Sequence, residues 1–214
     1  MSRFKSCNSS SLILVLVLSL PLTTLAAARI DFAVGDVQAV TPEGASRSLA
    51  KGARIVSGET IRTKDGRAQL RFDDGAIVSL QPDSEFRIDN YQFSGQPDGK
   101  ERGFFSLLKG GLRTLTGLVG RANKDNYKVT TSVATVGIRG TEYTLVYTDS
   151  DSIAVATGEG AIEVCNDAGC KVLASGESAV IKGKDGAIEL GDFRPQLTPP
   201  QPIGLILPQF STAE

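Results

Sequence analysis

Histidine is missing from all 214 residues, and the gap excludes more chemistry than any residue present suggests. Without imidazole there is no Ser-His-Asp or Cys-His arrangement, and the commonest zinc ligand is gone. A G-x-S-x-G elbow, a Walker phosphate loop and a G-x-G-x-x-G after a strand are missing as well. Paired carboxylates remain, since a glycosidase needs only two acids about 5–10 Å apart. The obvious pair, Asp73-Asp74, falls in a predicted hairpin turn, where solvated acids are ordinary. The DSDS stretch at 149–152 offers Asp149 and Asp151 to a calcium ion, but it lacks the length and glycine of a calcium loop. A polar turn between TLVY and IAVA accounts for it. The expectation is a protein without catalytic residues, cofactor or metal.

Long apolar runs are scarce too. The one present, at residues 12–25, follows basic Arg3 and Lys5 and ends in Leu25-Ala26-Ala27-Ala28, which fits an A-x-A cleavage site. This is the three-part layout of a secretory signal peptide, with an apolar core shorter than the ~20 residues of a membrane-spanning helix. A retained N-terminal anchor is the other reading. No later run is long enough to span a bilayer. Cleavage after Ala28 takes 28 residues from 214 and leaves 186. With Arg3 and Lys5 gone, 21 basic residues face 24 acidic ones, a net charge near −3. That size suits one or two small domains with a real core, and mild acidity gives no support for nucleic-acid binding. The expected location is the periplasm, with secretion as the other possibility.

Cysteine is sparse. Cys7 precedes the apolar run and leaves with it, so it is not placed for lipidation. Cys165 and Cys170 remain, flanking Asn166-Asp167-Ala168-Gly169, a turn between two β-like runs. Export makes the compartment permissive for a disulfide across this hairpin. A loop this short stabilises by only about 2 kcal/mol in the chain-entropy model. A metal pair would lack further Cys or His ligands, and a redox dithiol is more usually C-x-x-C.

What the sequence has in abundance is short β texture. In RAQLRFDDGAIVSLQ, Ala68, Leu70 and Phe72 alternate with Gln69 and Arg71. Asp73-Asp74-Gly75 makes the turn, and Ala76, Val78 and Leu80 resume the apolar face. Similar runs recur at the close spacing of a sandwich, barrel or β-solenoid. There is also an internal echo: residues 35–70 and 160–190 each contain a short strand, an L-A-x-G step and a K-D-G turn into another strand. It reads either as a β unit used twice or as glycines and leucines common to hairpins. Residues 103–120 place Phe104, Leu108, Leu112, Leu115 and Val119 at helical spacing, but Gly110 and Gly111 oppose a helix. Strand with a short helical turn near 115–119 is the expectation. The end of the chain, 193–214, is proline-rich and nearly uncharged, with a short apolar piece at 203–207 suited to packing back or to binding a partner.

The stretch TVGIRGTEY at 135–143 looks most like a site. Gly137 and Gly140 permit close approaches, Arg139 offers a five-donor fork, and Thr141 and Glu142 follow. In a regular strand residues 139 and 142 face opposite sides, and a bulge at Gly140 would bring them together. The motif is then either an internal clamp or a means of presenting Arg139 to an anionic ligand.

These pieces, in order, resemble the FecR domain family: GDVQAV, LAKG, SGETIRTKDGRAQLRFDDGAIVSLQPDSEFRI, FFSLLKGGLR, VTTSVATVGIRGTEYTLV and GAIEV followed by VLASGESAVI. The resemblance covers about residues 31–182, and its most specific part is T-x-x-A-T-x-G-I-R-G-T-E at 131–142. Ser132 stands where the family often has proline. The resemblance implies an exported all-β domain, solenoid-like or a sandwich. In the best-known members it is the periplasmic half of a transmembrane anti-sigma regulator that receives a signal from an outer-membrane iron transporter. There a sigma-binding segment and a membrane helix precede the domain. Here a predicted leader does, so direct control of a sigma factor is not expected.

The expected layout is a signal peptide at 1–28, a FecR-type β domain at 29–192 and a proline-rich tail at 193–214. The expected role is a non-catalytic periplasmic interaction or sensory module in envelope signalling or assembly. Its partner would be an envelope protein, with no nucleic acid and no transmembrane segment in the mature chain. Two rivals stand beside it: a binding module for an envelope glycan or small anion anchored by Arg139, and an enzyme using two carboxylates.

Overall fold

The computed structural model describes residues 26–122, 124–138 and 142–193. Most of the predicted leader and nearly all of the predicted tail lie outside the described residues. Within them the chain is all-β, eighteen short strands dealt alternately into two nine-stranded sheets.

Strand β1 (Ala28–Val34) opens the first sheet, β2 (Val37–Val40) and β3 (Ser46–Ser48) open the second, and β4 (Arg54–Ile55) returns to the first. Strand β5 (Thr60–Thr63) joins the second sheet, and the hairpin of β6 (Arg67–Phe72) and β7 (Ile77–Leu80) joins the first. The hairpin of β8 (Ser84–Gln92) and β9 (Arg102–Lys109) goes back to the second. Strand β10 (Gly111–Leu115) belongs to the first and is followed by a short helix, α1 (Leu118–Ala122). Four hairpin pairs then alternate. Strands β11 (Tyr127–Thr130) and β12 (Thr135–Ile138) enter the second sheet, β13 (Glu142–Asp149) and β14 (Ser152–Glu159) the first. Strands β15 (Ala161–Asn166) and β16 (Gly169–Ala174) end the second sheet, and β17 (Ser178–Lys182) and β18 (Ile188–Gly191) end the first.

The first sheet therefore runs β4-β1-β6-β7-β10-β13-β14-β17-β18, and the second runs β3-β2-β5-β8-β9-β11-β12-β15-β16. Position across each sheet follows position along the chain. The architecture is a sandwich in its layers and solenoid-like in its progression. All recorded pairings are antiparallel except β9–β11, which is parallel. Those two strands are separated by a crossover through β10 and α1, the kind of connection a parallel pair needs.

Alternation explains why these residues form these strands. In β6, Ala68, Leu70 and Phe72 are buried, and in β7 Val78 and Leu80 are, so the predicted hairpin pairs Ala68 with Leu80 and Leu70 with Val78. The inner faces of the two sheets share one core. At its middle Phe72 of the first sheet meets Phe105 of the second edge-on at 5.2 Å, and Phe86, Tyr91 and Tyr127 pack around them. Residues 103–120 are strand, strand and a short helix, close to expectation. Gly110 has φ +76 and an added Cβ would lie 2.6 Å from the Asp83 carbonyl, so only glycine fits there.

The echo in the sequence does not carry into the fold. The echoed segments both begin with a strand of the second sheet, β2 and β15, but the first K-D-G turn links β5 to β6 across sheets and the second links β17 to β18 within one. They are not equivalent units. Ala27 and Ala28, assigned to the leader, are buried in the body, and the Ala27 N–H donates to the Ile55 carbonyl at 2.8 Å.

A row of hydroxyls crosses the core. Thr114, Tyr143 and Thr157 are in register on β10, β13 and β14, all buried, and Tyr127 approaches from the other sheet. These hydroxyls lie near one another but none reaches hydrogen-bonding geometry with a described residue. Burial pushes the Tyr127 and Tyr143 phenols well above their ordinary range. The folded chain thus holds these protons more tightly than the unfolded one. Stability is full below the unfolded value of about 10 and falls as pH rises beyond it, by about 1.4 kcal/mol per pH unit for each such tyrosine. In urea titrations between pH 9 and 11.5, Tyr143→Phe should match or exceed the parent at pH 9 and lose stability less steeply above pH 10. An identical alkaline slope in the two proteins would contradict the burial of that phenol.

Candidate functional site

The stretch singled out in the sequence divides at a change of sheet. Thr135 to Ile138 form β12, held between β11 and β15, and Glu142 begins β13 in the other sheet. Arg139, Gly140 and Thr141 lie outside the described residues. The turn into β12 is built by the motif itself. The Thr131 hydroxyl accepts from the N–H groups of Val133 and Ala134 at 3.1 and 2.9 Å and donates to the Ala134 carbonyl at 2.8 Å. Ser132 donates its N–H to the Tyr147 hydroxyl at 2.8 Å. A proline there would have no N–H to give.

Within β12, Val136 and Ile138 point into the core, and Thr135 and Gly137 face outward. Gly137 is the odd member. Its φ is not in the left-handed region, and among the described residues an added Cβ would meet nothing nearer than the Glu163 carbonyl at 3.8 Å. Among the described residues neither backbone nor packing requires glycine at this place. What it does is leave a gap in a row of outward side chains: Val172, Glu163, Gly137, Lys128 and Phe104 are successive partners across β16, β15, β12, β11 and β9. The next row is Cys170, Cys165, Thr135, Thr130 and Ser106. The result is a groove of about 510 Å³ on the outer face of the second sheet. Gly137 forms its floor; Lys128, Glu163, Asp125 and Cys165 stand around it.

The predicted disulfide is present. Cys165 and Cys170 are directly opposed across the β15–β16 hairpin and bonded, with Cα atoms 4.0 Å apart. It edges the groove.

Glu142 has a partner that sequence reasoning missed. The Arg113 Nε on neighbouring β10 donates to its carboxylate at 2.7 Å. Arg113 sits opposite Thr144, one diagonal step from Glu142, so only the strand register identifies it. The β13–β14 pairing also shifts between Glu142 and Tyr143, where Gly158 is the extra residue on β14. Gly140, where a bulge would bring residues 139 and 142 to one face, lies outside the described residues.

The acidic candidates are structural. Asp73-Asp74 does occupy a hairpin turn, but Asp74 is buried rather than solvated. Its carboxylate accepts from the N–H groups of Ala76 at 3.1 Å and Val119 at 3.0 Å, and its own N–H donates to the Tyr91 hydroxyl. It ties the β6–β7 turn to the start of α1. Asp149 accepts from the Asp151 N–H at 2.8 Å in the turn between β13 and β14, the polar-turn arrangement. Among the described residues no three His, Cys, Asp or Glu side chains are grouped as a metal site, and no helix is long and apolar enough to cross a membrane.

Residues 59–163 match the family model described as FecR protein. Two crystal structures of a candidate anti-sigma factor from Parabacteroides distasonis, at 1.65 and 2.50 Å resolution, are similar to this chain with a TM-score of 0.49 and 18% identity. The similarity covers 62% of this chain and 58% of theirs, less than two thirds of that protein's resolved length. No curated protein matches the sequence.

Filling two glycines should separate shape from stability. Gly137→Ala has room and is expected to leave the melting temperature unchanged or slightly raised. Gly117→Ala would place a Cβ 2.4 Å from the Asp74 Oδ2 and 2.5 Å from the Ala76 N, and should cost roughly 1–3 kcal/mol. Equal losses for the two in thermal unfolding would contradict the open floor at Gly137. Glu142→Gln, which breaks a half-exposed pair with Arg113, should cost under about 1 kcal/mol in the same assay.

Proposed function

We propose that this chain, whose residues 59–163 carry a FecR domain, is a non-catalytic periplasmic module that binds an envelope protein in signalling or assembly. The contact is the groove over Gly137. The observation that carries the reading is a glycine with no conformational or steric need for being one, at the centre of the motif that most specifically marks the family. A side chain of the partner would enter the gap, and Lys128, Glu163 and Asp125 at its margin supply polar partners of both signs. Arg139 follows two residues after Gly137 in the same motif and belongs to the same proposed contact.

The disulfide on the groove edge suits an oxidising compartment and supports export. A second reading has one observation in its favour. The groove is concave and polar, which suits an envelope glycan.

In-cell crosslinking with Gly137→Phe tests the proposal, because it fills the gap at a position where an added Cβ meets no described atom nearer than 3.8 Å. The parent should capture one reproducible envelope protein, and Gly137→Phe and Arg139→Ala should each reduce that capture by tenfold or more, about 1.4 kcal/mol, with Gly137→Phe keeping its melting temperature. Capture that survives filling of the groove would overturn the assignment. Retention on peptidoglycan with no protein captured would replace it with the glycan reading.

A further inference from the structure

Sheets that progress along the chain have two ends, and the ends of this stack differ. At the start, the edge strands are β3 and β4, three and two residues long. Arg47 on β3 clips them together, donating to the Arg54 carbonyl at 2.8 Å and to both oxygens of the buried Glu59 carboxylate at 2.8 and 2.9 Å. Short edges and a buried charge are recognised ways of keeping a sheet from recruiting another strand.

The far end lacks this protection. Its edge strands are β16, with six residues, and β18, with four. Among the described residues, β16 is joined to β18 by a 3.3 Å bond from the Lys171 Nζ to the Ile188 carbonyl, and the β15–β16 turn is tied to the β17–β18 turn by Asn166 Nδ2 to the Gly186 carbonyl at 2.7 Å and the Asp167 N–H to the Lys184 carbonyl at 2.8 Å. A cleft of about 330 Å³ opens between the edges, lined by Cys170, Lys171, Ala187 and Ile188 among others. Leu190 is 53% exposed although it shares the inward parity of Ile188, and Val172 is 47% exposed. The open side of β16 can be identified. Ala174 exchanges bonds with Glu177, its N–H to the carboxylate at 2.7 Å and its carbonyl from the N–H at 3.0 Å, so it points away from β15. By the two-residue period Val172 and Cys170 present their N–H and C=O groups on that same side.

We propose that residues 203–207 of this chain dock on this end, pairing with β16 as the closing strand of the second sheet. Three observations select this occupant. The described chain leaves from β18, at the end in question, and Phe193 still donates its N–H to Ser178 of β17. Ten residues separate 193 from 203, enough to span roughly 30 Å, against about 10 Å between packed sheets. Ile203, Leu205 and Leu207 recur at every second position, the spacing one face of a strand needs to meet the exposed Leu190 and half-buried Ile188, and residues 195–213 carry no charge. Pro202 and Pro208 bracket the segment, so the new edge would end in residues that cannot extend a ladder. The contact uses the open edge of β16 and none of the residues that line the groove over Gly137, so it stands independently of the proposed partner contact.

Hydrogen exchange at the Cys170 and Val172 amides tests this. In the full chain both should exchange at least about tenfold more slowly than in a chain ending at Phe193. A synthetic peptide of residues 201–209 added in trans should restore the protection. Leu205→Pro, which removes one donor while keeping tail length, should lose it without changing the rest of the exchange pattern. Equal exchange in the full and shortened chains would overturn the proposal. So would protection in the shortened chain that rises with its own concentration, because the occupant would then be a second copy.

Discussion

The constraint on which the rest of this molecule depends is that each sheet must bury one face against the other. Neither survives alone, since a sheet with one apolar face exposed to water has no stable form. The requirement is met at the aromatic centre, where Phe72 from one layer and Phe105 from the other meet and Tyr91, Phe86 and Tyr127 close around them. Because the chain visits the layers in turn, nearly every hairpin is covered by elements close to it in sequence. The inner faces are then committed to packing, and function is left with outer faces, edges and ends.

That division explains why the groove and the acids have such different characters. Gly137 is on an outer face, where an absent side chain costs little packing and creates shape. Asp74 looks like a solvated turn residue in sequence, yet it is buried because α1 folds back over the β6–β7 turn and offers its backbone N–H groups. A buried carboxylate that accepts several N–H bonds is a structural joint. The disulfide joins two residues already opposed by a tight turn, so its place at the groove edge matters more than the loop it closes.

Progression along the chain also gives the stack two ends that face different problems. One is closed by short strands and the Arg47–Glu59 pair. The other presents longer edges and exposed leucine and valine. A sandwich whose strand order follows the sequence shares this with true solenoids, where the terminal units are the ones that must differ.

The sequence by itself determined the class of structure and the identity of its faces. Alternation at 68–72 and 76–80 gave the hairpin and its buried side, the turn between Cys165 and Cys170 gave their pairing, and the glycines of 103–120 argued rightly against a long helix. These are local signals, set by the two-residue period of a strand and the conformational limits of a turn. The motif at 135–143 was visible as a peculiarity, but its meaning was not. Only the tertiary structure decided that Gly137 opens an outer surface, that Arg113 is the partner of Glu142, that Asp74 is buried, and that the echoed segments are not equivalent. Each of those depends on which strand lies beside which and in what register. Register is a property of long-range pairing, fixed when both faces and all neighbours are satisfied together, so no local pattern contains it.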